Sequence, residues 1–248
     1  MTIYTIALSK GGSTKTTTAA ELIVELARRG RRVLAIDGDE QGNLTTRLGI
    51  TDDTPLDGVA ADVILGALTP EQAAAPAPAV PGADVLVGTH DLANLQQRPE
   101  AITSLRDQLP ALTGWDDVVI DTPPAMGIIT LAALAAADQV IAAVACETEA
   151  LYQLDRLAEV IQSRVRPVLR PGQNIHWIIP TRHDARRLLD REIIADLAKH
   201  WPGRVTNPIR EAVAARDAFT AGLPVSIYAA DAGIADDYRQ ALATILEA

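Results

Sequence analysis

Cysteine and long apolar runs are nearly absent from this chain of 248 residues, and each absence narrows the possible functions. The single cysteine, Cys146, cannot form an intrachain disulfide and argues against a cysteine-ligated metal. No apolar run approaches the length of about 18 residues that a membrane-spanning helix needs. The N-terminus also lacks the basic segment and the cleavage site of a secretory signal. We therefore expect a cytoplasmic protein with no membrane partner.

Lysine is also scarce, and the charge is unevenly spread. The net charge is −10, yet residues 156–216 hold 12 basic and 6 acidic residues. That region carries a local charge of +6, which leaves −16 for the rest of the chain. An acidic protein with one basic region can still bind DNA there, because phosphate attraction is screened within about 10 Å. The apolar content of 48% indicates a globular chain, and its length fits one α/β domain over residues 1–248.

The first motif lies between a strand and a helix. Residues 3–8 form a short apolar run that predicts a strand buried on both faces. A lysine and two glycines follow, and Lys15 then opens a helical pattern that Gly30 ends. This order of elements aims several backbone N–H groups at one point, where an anion can bind. Two of the three lysines in the chain, Lys10 and Lys15, lie in this loop.

The loop reads K-G-G-x-x-K-T and does not match the usual P-loop pattern, which would need glycine at positions 9 and 14. It closely resembles the deviant Walker A motif of the ParA/MinD family of ATPases. That resemblance implies ATP and Mg²⁺ as cofactors, Lys10 and Lys15 as catalytic residues, and a nucleotide-binding loop made of Lys10, Gly11, Gly12, Ser13, Thr14, Lys15, Thr16 and Thr17. Thr14 departs from the glycine of the family, and a positive φ there would store about 1–3 kcal/mol of strain.

Two further motifs follow predicted strands. The predicted strand over residues 33–36 is followed by Asp37-Gly38-Asp39, and the one over residues 117–120 is followed by Asp121-Thr122-Pro123-Pro124. Carboxylates at the carboxyl ends of parallel strands lie where ligands bind in open α/β sheets. By resemblance, Asp39 positions the attacking water, Asp37 supports the Mg²⁺ shell, and Asp121 is the Walker B carboxylate. The predicted metal residues are Thr16, Asp39 and Asp121. Glu40 replaces the usual proline of the second motif.

The basic region suggests a DNA-binding surface. Residues 181–187 lead into a predicted helix with the apolar stripe Leu189, Ile193 and Leu197. Arginines in its first turn would interact unfavourably with the helix dipole, so we expect a nearby negative charge to compensate them. That charge could come from acidic side chains close in sequence or from the phosphates of bound DNA. The family carries DNA-contacting arginines in matching stretches, which places them here at Arg186, Arg187, Arg210 and Arg216. A looser match to the adenine-lining loop of the family gives Asn207, Pro208, Ile209 and Arg210.

The remaining pattern predicts further helices. Residues 51–83 are irregular, with one short helix over residues 59–68. Helices are also predicted over residues 99–112, 150–164 and 234–246, and the last is expected to pack in the core. Its polar face is acidic, which argues against the basic membrane-targeting helix of a MinD-like protein. No helix-turn-helix region precedes the first strand, so we expect no separate DNA-reading domain.

The resemblance therefore predicts a doubly wound, mostly parallel α/β sheet flanked by helices, as in P-loop NTPases of the deviant Walker A type. It implies an ATPase that forms a homodimer on ATP binding, with Lys10 of each subunit reaching the partner's phosphates. The ATP dimer would bind DNA non-specifically on the nucleoid and would hydrolyse ATP slowly until a ParB-like partner accelerates it. Plasmid or chromosome partition is the expected role.

Several alternatives stay open. They are a positioning ATPase for a protein cargo, a small-molecule ATP-dependent ligase or synthetase on the same fold, and a module that binds nucleotide without hydrolysing it. A substrate-dependent ATPase that ignores DNA would mark the ligase, and ATP that stays intact with DNA and partner present would mark the binding module. Iron–sulfur relatives of the family need more cysteines than this chain has.

Overall fold

The computed structural model describes residues 1–8 and 14–248, and its strands belong to one seven-stranded sheet. The strands are β1 (Thr2–Ile6), β2 (Val33–Asp37), β3 (Ala75–Pro76), β4 (Ala83–Leu86), β5 (Asp117–Asp121), β6 (Gln139–Ala145) and β7 (Trp177–Thr181). Their order across the sheet is β3-β4-β2-β5-β1-β6-β7. Every neighbouring pair is parallel except β3 and β4, which are antiparallel. The mostly parallel sheet is therefore confirmed.

Helices cover both faces of the sheet. They are α1 (Lys15–Arg28), α2 (Asn43–Arg47), α3 (Ala60–Ile64), α4 (Pro70–Ala73), α5 (Ser104–Gln108), α6 (Ile128–Ala136), α7 (Ala150–Val160), α8 (Leu188–His200), α9 (Val213–Thr220), α10 (Val225–Tyr228) and α11 (Gly233–Leu246). On one face, α1 and α11 pack against alternate residues of the central strands. On the other face, α6 packs with α3 and α5 on one side and with α7 and α8 on the other. This is the predicted doubly wound arrangement.

The carboxyl ends of the central strands meet at one edge of the sheet. Strand β1 lies between β5 and β6, so the chain passes from one side of β1 to the other when it connects those two strands. In open α/β sheets such a reversal leaves a crevice where ligands bind. The pairing register places Asp37 opposite Asp121, and Ile6 opposite Asp121 on the other side. The second and third sequence motifs therefore meet at this crevice, beside the end of β1.

The helix predicted over residues 99–112 is wrong as one continuous helix. The structure has a 3₁₀ turn at Pro99–Ile102, then α5, then a 3₁₀ turn at Leu109–Ala111. Pro110 has no N–H to donate to the preceding turn, so an α-helix cannot continue through it without loss. The sequence pattern predicts Ile102, Leu105 and Leu109 on the inward face; Leu105 and Leu109 are buried, and Ile102 is half-buried.

Residues 51–83 also contain more structure than expected. The helix predicted over residues 59–68 shortens to α3, and α4 and the edge strand β3 follow it. Strand β3 has only two residues, which is too short for a period-two pattern to stand out in sequence. The helix predicted over residues 150–164 forms α7 and then widens into a π-helical turn at Ile161–Val165.

The helix after the basic segment begins later than predicted. It starts at Leu188, so Arg186 and Arg187 precede it and do not lie in its first turn. The predicted stripe holds for Ile193 and Leu197, but Leu189 is 46% exposed. The C-terminal helix α11 packs in the core as expected. Among the residues described, no helix is both long and apolar enough to span a membrane.

Two leucines of α8 give a direct test of this packing. Leu197 is fully buried and Leu189 is 46% exposed. We expect Leu197→Ala to lower the free energy of unfolding by about 2–5 kcal/mol, because the cavity left behind adds to the lost burial. The matched change Leu189→Ala should alter it by less than about 0.5 kcal/mol. Urea unfolding of both variants measures the difference, and equal losses would contradict the placement of the helix.

Candidate active site

The nucleotide loop predicted from the sequence is only partly described by the structure. Lys10, Gly11, Gly12 and Ser13 lie outside the described residues, and the description resumes at Thr14. Thr14 has φ 67° and ψ 14°, which is the left-handed conformation. This conformation is strained for a residue with a side chain such as threonine. Its hydroxyl forms a hydrogen bond of 2.9 Å with the hydroxyl of Thr181, at the end of β7. That contact helps to hold a conformation in which glycine would be less strained.

A cavity of about 630 Å³ opens at the start of α1. Its lining comes from the N-terminus of α1, the loop after β2, and the segments that follow β5 and β7; the residues include Thr14, Lys15, Thr16, Thr17, Asp39, Asn43, Arg47, Pro124, Arg182, Glu211, Ala215, Arg216 and Phe219. Lys15 is buried, and burial lowers the pKa of its ammonium while the charges of Asp121 and Asp39 counter that shift. The cavity therefore combines a helix N-terminus with a buried cation, a combination suited to an anion.

Asp121 is the least satisfied polar group of this site. Its carboxylate is fully buried, and neither oxygen has a hydrogen-bond partner among the described residues. Burial, and then the nearby charge of Asp37, raise its pKa to about 8, against the opposing effects of Thr16 and Lys15. Buried carboxylates are normally paired or coordinate a metal. The two unpartnered oxygens beside Thr16 therefore fit a divalent cation held directly or through water.

Asp37 accepts three hydrogen bonds from neighbouring residues of the protein. One of its oxygens accepts hydrogen bonds from the N–H and the hydroxyl of Thr45, both at 2.8 Å, and the other accepts one from the N–H of Asp39 at 3.1 Å. Burial raises its pKa to about 6, and the bonds from Thr45 oppose that shift. The carboxylate thus anchors the loop that carries Asp39. Because both of its oxygens accept hydrogen bonds within the protein, Asp37 is suited to supporting this loop next to a Mg²⁺ site and not to direct contact with the ion.

Asp39 faces the cavity from that anchored loop. It is half-buried, and one of its carboxylate oxygens accepts a hydrogen bond of 3.1 Å from the N–H of Gln41. The loop packs tightly because Gly38 has no side chain: a Cβ atom there would lie 2.7 Å from the carbonyl oxygen of Asp121. The glycine between the two aspartates therefore permits the close approach of β2 and β5.

Among the residues that the structure describes, no three His, Cys, Asp or Glu side chains gather into a metal-binding group. A cation at this site would then take few protein ligands. Mg²⁺ commonly binds in that way, through one or two protein oxygens together with phosphates and water. The residues predicted to hold it are Thr16, Asp39 and Asp121; Thr16 and Asp39 line the first cavity, and Asp121 lies close enough to Lys15 and Thr16 for their charges and hydrogen-bonding groups to affect its pKa.

A second cavity, of about 720 Å³, contains all four arginines that the sequence marked for DNA. Arg186, Arg187, Arg210 and Arg216 line it together with His183, Asp184, Pro208, Glu211, Val213 and Asp237. They come from two chain segments that are joined by backbone hydrogen bonds between His183 and residues 209 and 211. The structure therefore brings together four arginines that lie up to 30 positions apart in the sequence.

Three of these arginines are paired with carboxylates. Arg186 contacts both oxygens of Asp184, at 2.9 and 2.8 Å, and Arg210 contacts both oxygens of Asp237, at 2.6 and 2.7 Å. Arg187 binds Glu211 at 3.0 Å. These contacts lower the pKa of Asp184, and they lower that of Asp237 although burial alone would raise it. Arg216 is exposed and has no ion pair with a described residue.

The residues predicted to line adenine divide into two groups. Pro208 and Arg210 line the second cavity, and Asn207 is exposed. Ile209 is buried in the core at 1% exposure, so its side chain is not available to a ligand. Its position follows from the hydrogen bond that its N–H donates to the carbonyl of Pro180, which fastens the segment to β7.

Sequence reasoning missed several residues of the first cavity, among them Arg47, Arg182 and Phe219. Arg47 is 3% exposed, donates a hydrogen bond of 3.1 Å to the carbonyl of Leu223, and lies 5.1 Å from the ring of Phe219. Arg182 follows β7 directly and has φ 56°. Phe219 is the single phenylalanine of the chain, and this rarity is the one feature of the sequence that could have drawn attention to it. The two arginines carried none, because arginine is common here and their neighbours in the cavity are distant in sequence.

Comparison with known proteins places this site in context. A family model described as an AAA domain matches residues 1–170. The chain is 36% identical over 234 residues to the chromosome partitioning protein ParA of Caulobacter vibrioides, covering 91% of this chain and 86% of that protein. It is 36% identical over 201 residues to the chromosome-partitioning ATPase Soj of Thermus thermophilus, covering 81% and 77%. Among solved structures, cobyrinic acid a,c-diamide synthase of Mycobacterium smegmatis with bound ADP and magnesium superposes with a TM-score of 0.81 at 30% identity, covering 100% and 95%.

Replacing either buried aspartate by asparagine removes a negative charge, and we expect the two changes to have different effects on the melting temperature. Asp121 has no hydrogen-bond partner among described residues, and its pKa of about 8 means that the folded protein keeps a proton that the unfolded chain loses near pH 4. This group therefore costs stability increasingly as pH rises from about 4 to 8. We expect Asp121→Asn to raise the melting temperature of nucleotide-free protein, by more at pH 8 than at pH 5.

Asp37→Asn serves as the matched control in the same melting experiment. It also relieves a buried charge with a raised pKa, of about 6, but it loses a carboxylate oxygen that accepts a hydrogen bond from the Asp39 loop. Its melting temperature at pH 8 should therefore lie below that of Asp121→Asn. A lower melting temperature for Asp121→Asn at pH 8 would mean that its carboxylate is satisfied in the folded protein.

Proposed function

The chain belongs to the ParA/MinD family of P-loop ATPases, and we propose that it is a partition ATPase that uses ATP and Mg²⁺ to segregate or position DNA. The observation that carries the nucleotide chemistry is the buried, unpartnered carboxylate of Asp121 beside Lys15 and the N-terminus of α1. The matched relatives, named as chromosome-partitioning proteins, support the cellular role.

In this proposal, the residues of the first cavity divide the work of hydrolysis. The main chain at the start of α1 and the Lys15 ammonium bind the phosphates, and Thr16 and Asp121 hold the cation. The cation supplies neutralising charge to the phosphate oxygens. Asp39, fixed by the Asp37 anchor, accepts a hydrogen bond from the attacking water and orients it. Because the hydrogen bonds to Asp37 fix this loop before a ligand arrives, its geometry costs little reorganisation during the reaction.

We also propose that the ATP-bound form is a homodimer. Lys10, which lies outside the described residues, would reach the phosphates of the partner subunit and meet the charge that develops during cleavage. A ParB-like partner would accelerate a slow basal reaction. These features rest on the match of residues 10–16 to the deviant Walker A motif.

The second cavity supports non-specific DNA binding as the role of its arginines. Guanidinium groups pair with phosphates in a bidentate way, and four of them line this cavity. Three already pair with carboxylates, so binding DNA must exchange one ion pair for another. Such an exchange gives modest affinity per subunit. A dimer that engages both copies at once gains from the higher effective concentration. Because one subunit binds weakly and two linked subunits bind more tightly, we expect DNA binding to depend on the ATP-driven dimer. The dimer would then be located on the nucleoid.

A small-molecule ATP-dependent ligase or synthetase is the second candidate. It is favoured by the superposition on cobyrinic acid a,c-diamide synthase at 30% identity over the whole chain. The second cavity could then hold an anionic substrate, since its arginines would suit carboxylates as well as phosphates. A ligase would hydrolyse ATP only with its substrate present and would ignore DNA.

The decisive experiment is retention of non-specific DNA in the presence of ADP, ATP or a non-hydrolysable ATP analogue. The partition reading predicts retention with ATP-type nucleotides only. In Lys10→Ala, retention should be weakened or should no longer follow dimerisation. Binding of labelled ATP with no nucleotide-dependent retention in either protein would leave the nucleotide site intact and favour the ligase.

Arg216 offers a sharper prediction about the DNA surface. Because it is exposed and has no ion pair with a described residue, it can meet phosphate without first losing a partner. We expect Arg216→Ala to weaken DNA retention with the ATP analogue and to reduce the slope of log affinity against log salt by about 1. Filter binding over a salt series measures this. Arg98→Ala, at an exposed position that lines neither cavity, is the control, and equal behaviour of the two variants would remove Arg216 from the DNA surface.

A further inference from the structure

Backbone strain is concentrated at the first cavity. Among the described residues, Thr14 and Arg182 are the two non-glycine residues with positive φ, at 67° and 56°. Both line the cavity at the start of α1. Each such conformation costs about 1–3 kcal/mol and persists at sites where the surrounding structure requires it. Two strained residues at one cavity therefore point to a shared purpose.

A hydrogen bond joins the two strained positions. The hydroxyl of Thr14 contacts the hydroxyl of Thr181 at 2.9 Å, and Thr181 directly precedes Arg182. Thr181 is 1% exposed, and its carbonyl accepts a hydrogen bond of 2.9 Å from the N–H of Cys146, which fixes it to the end of β6. The glycine that the family has at position 14 could not make the hydroxyl contact. The start of the nucleotide helix and the turn after β7 are thus fastened by a feature of this chain.

The guanidinium of Arg182 is held loosely at the cavity wall. It donates a hydrogen bond of 2.8 Å to Glu147 and lies 3.7 Å from a carboxylate oxygen of Glu211. Arg186 and Arg210, by contrast, each bind both oxygens of one carboxylate. With one short contact among the described residues and a side chain that is 46% exposed, Arg182 keeps donors for a further anion.

We propose that Arg182 is a second nucleotide-binding cation of this site, that it contacts the phosphates, and that the Thr14–Thr181 hydrogen bond positions it. The inference rests on the nucleotide binding proposed above. Lys15 supplies a compact charge from the start of α1, and Arg182 adds a planar, permanently charged group from the β7 side of the same cavity. Glu147 and Glu211 keep that group at the cavity wall while no phosphate is present.

Binding of fluorescently labelled ATP, ADP and AMP to Arg182→Ala tests the contact without relying on catalysis. We expect affinity for ATP to fall by about tenfold, the size of a lost charge-assisted hydrogen bond, and affinity for AMP to change much less. Arg191→Ala, an exposed arginine on α8, should bind all three like the wild type. A loss of the same size for all three nucleotides would place the guanidinium on the base, the ribose or the α-phosphate and overturn a contact with the β- or γ-phosphate, which AMP lacks.

Thr181→Val tests the positioning role, because it removes the hydroxyl and keeps the shape suited to a strand. We expect about threefold weaker ATP binding, a melting temperature lowered by the loss of one hydrogen bond, and no further loss of ATP affinity when the change is combined with Arg182→Ala. Fully additive losses would show that Thr181 does not act through Arg182.

The outcomes separate the two levels of inference. If the wild-type protein fails to bind labelled ATP, the proposed function falls together with this contact. If the wild type binds and Arg182→Ala binds equally well, only the role of Arg182 is overturned.

Discussion

Buried negative charge at the carboxyl ends of β2 and β5 is the constraint on which the rest of the site depends. The register that pairs these strands sets Asp37 opposite Asp121, and both side chains are fully buried away from water. The protein resolves this in two ways. It satisfies Asp37 internally through Thr45 and the Asp39 loop, and it leaves Asp121 without a hydrogen-bond partner among the described residues. One aspartate therefore supports structure, and the other is suited to a cation.

The arrangement of the two cavities follows from the same edge of the sheet. Glu211, Ala212 and Arg216 line both cavities, so one short segment separates the candidate nucleotide site from the arginine-rich surface. Glu211 pairs with Arg187 on one side and lies near Arg182 on the other. Acidic partners offset much of the positive charge of the second cavity.

Sequence reasoning worked best where a pattern is long or tied to a chemical requirement. The buried strands, the amphipathic α1 and α11, and the order of the three motifs were all predictable, because apolar periodicity reports which face a segment buries. It failed where local signals are weak. The segment over residues 99–112 was misread because helix-forming residues outnumber Pro110, which ends the α-helix, and β3 was missed because two residues carry no period. Exposure of Leu189 depends on where α8 begins, which capping did not reveal.

By itself, the sequence determined the fold class, the nucleotide motifs and the identity of Asp37, Asp39 and Asp121, since these follow from local pattern and residue chemistry. The tertiary structure alone decided how those residues differ in role. Hydrogen bonds assign Asp37 to the loop, burial gives Asp121 its raised pKa, and strand β7 brings Thr181 and Arg182 to Thr14 across more than 160 positions. Such contacts join residues with no sequence relation, because burial and pairing are properties of the assembled sheet.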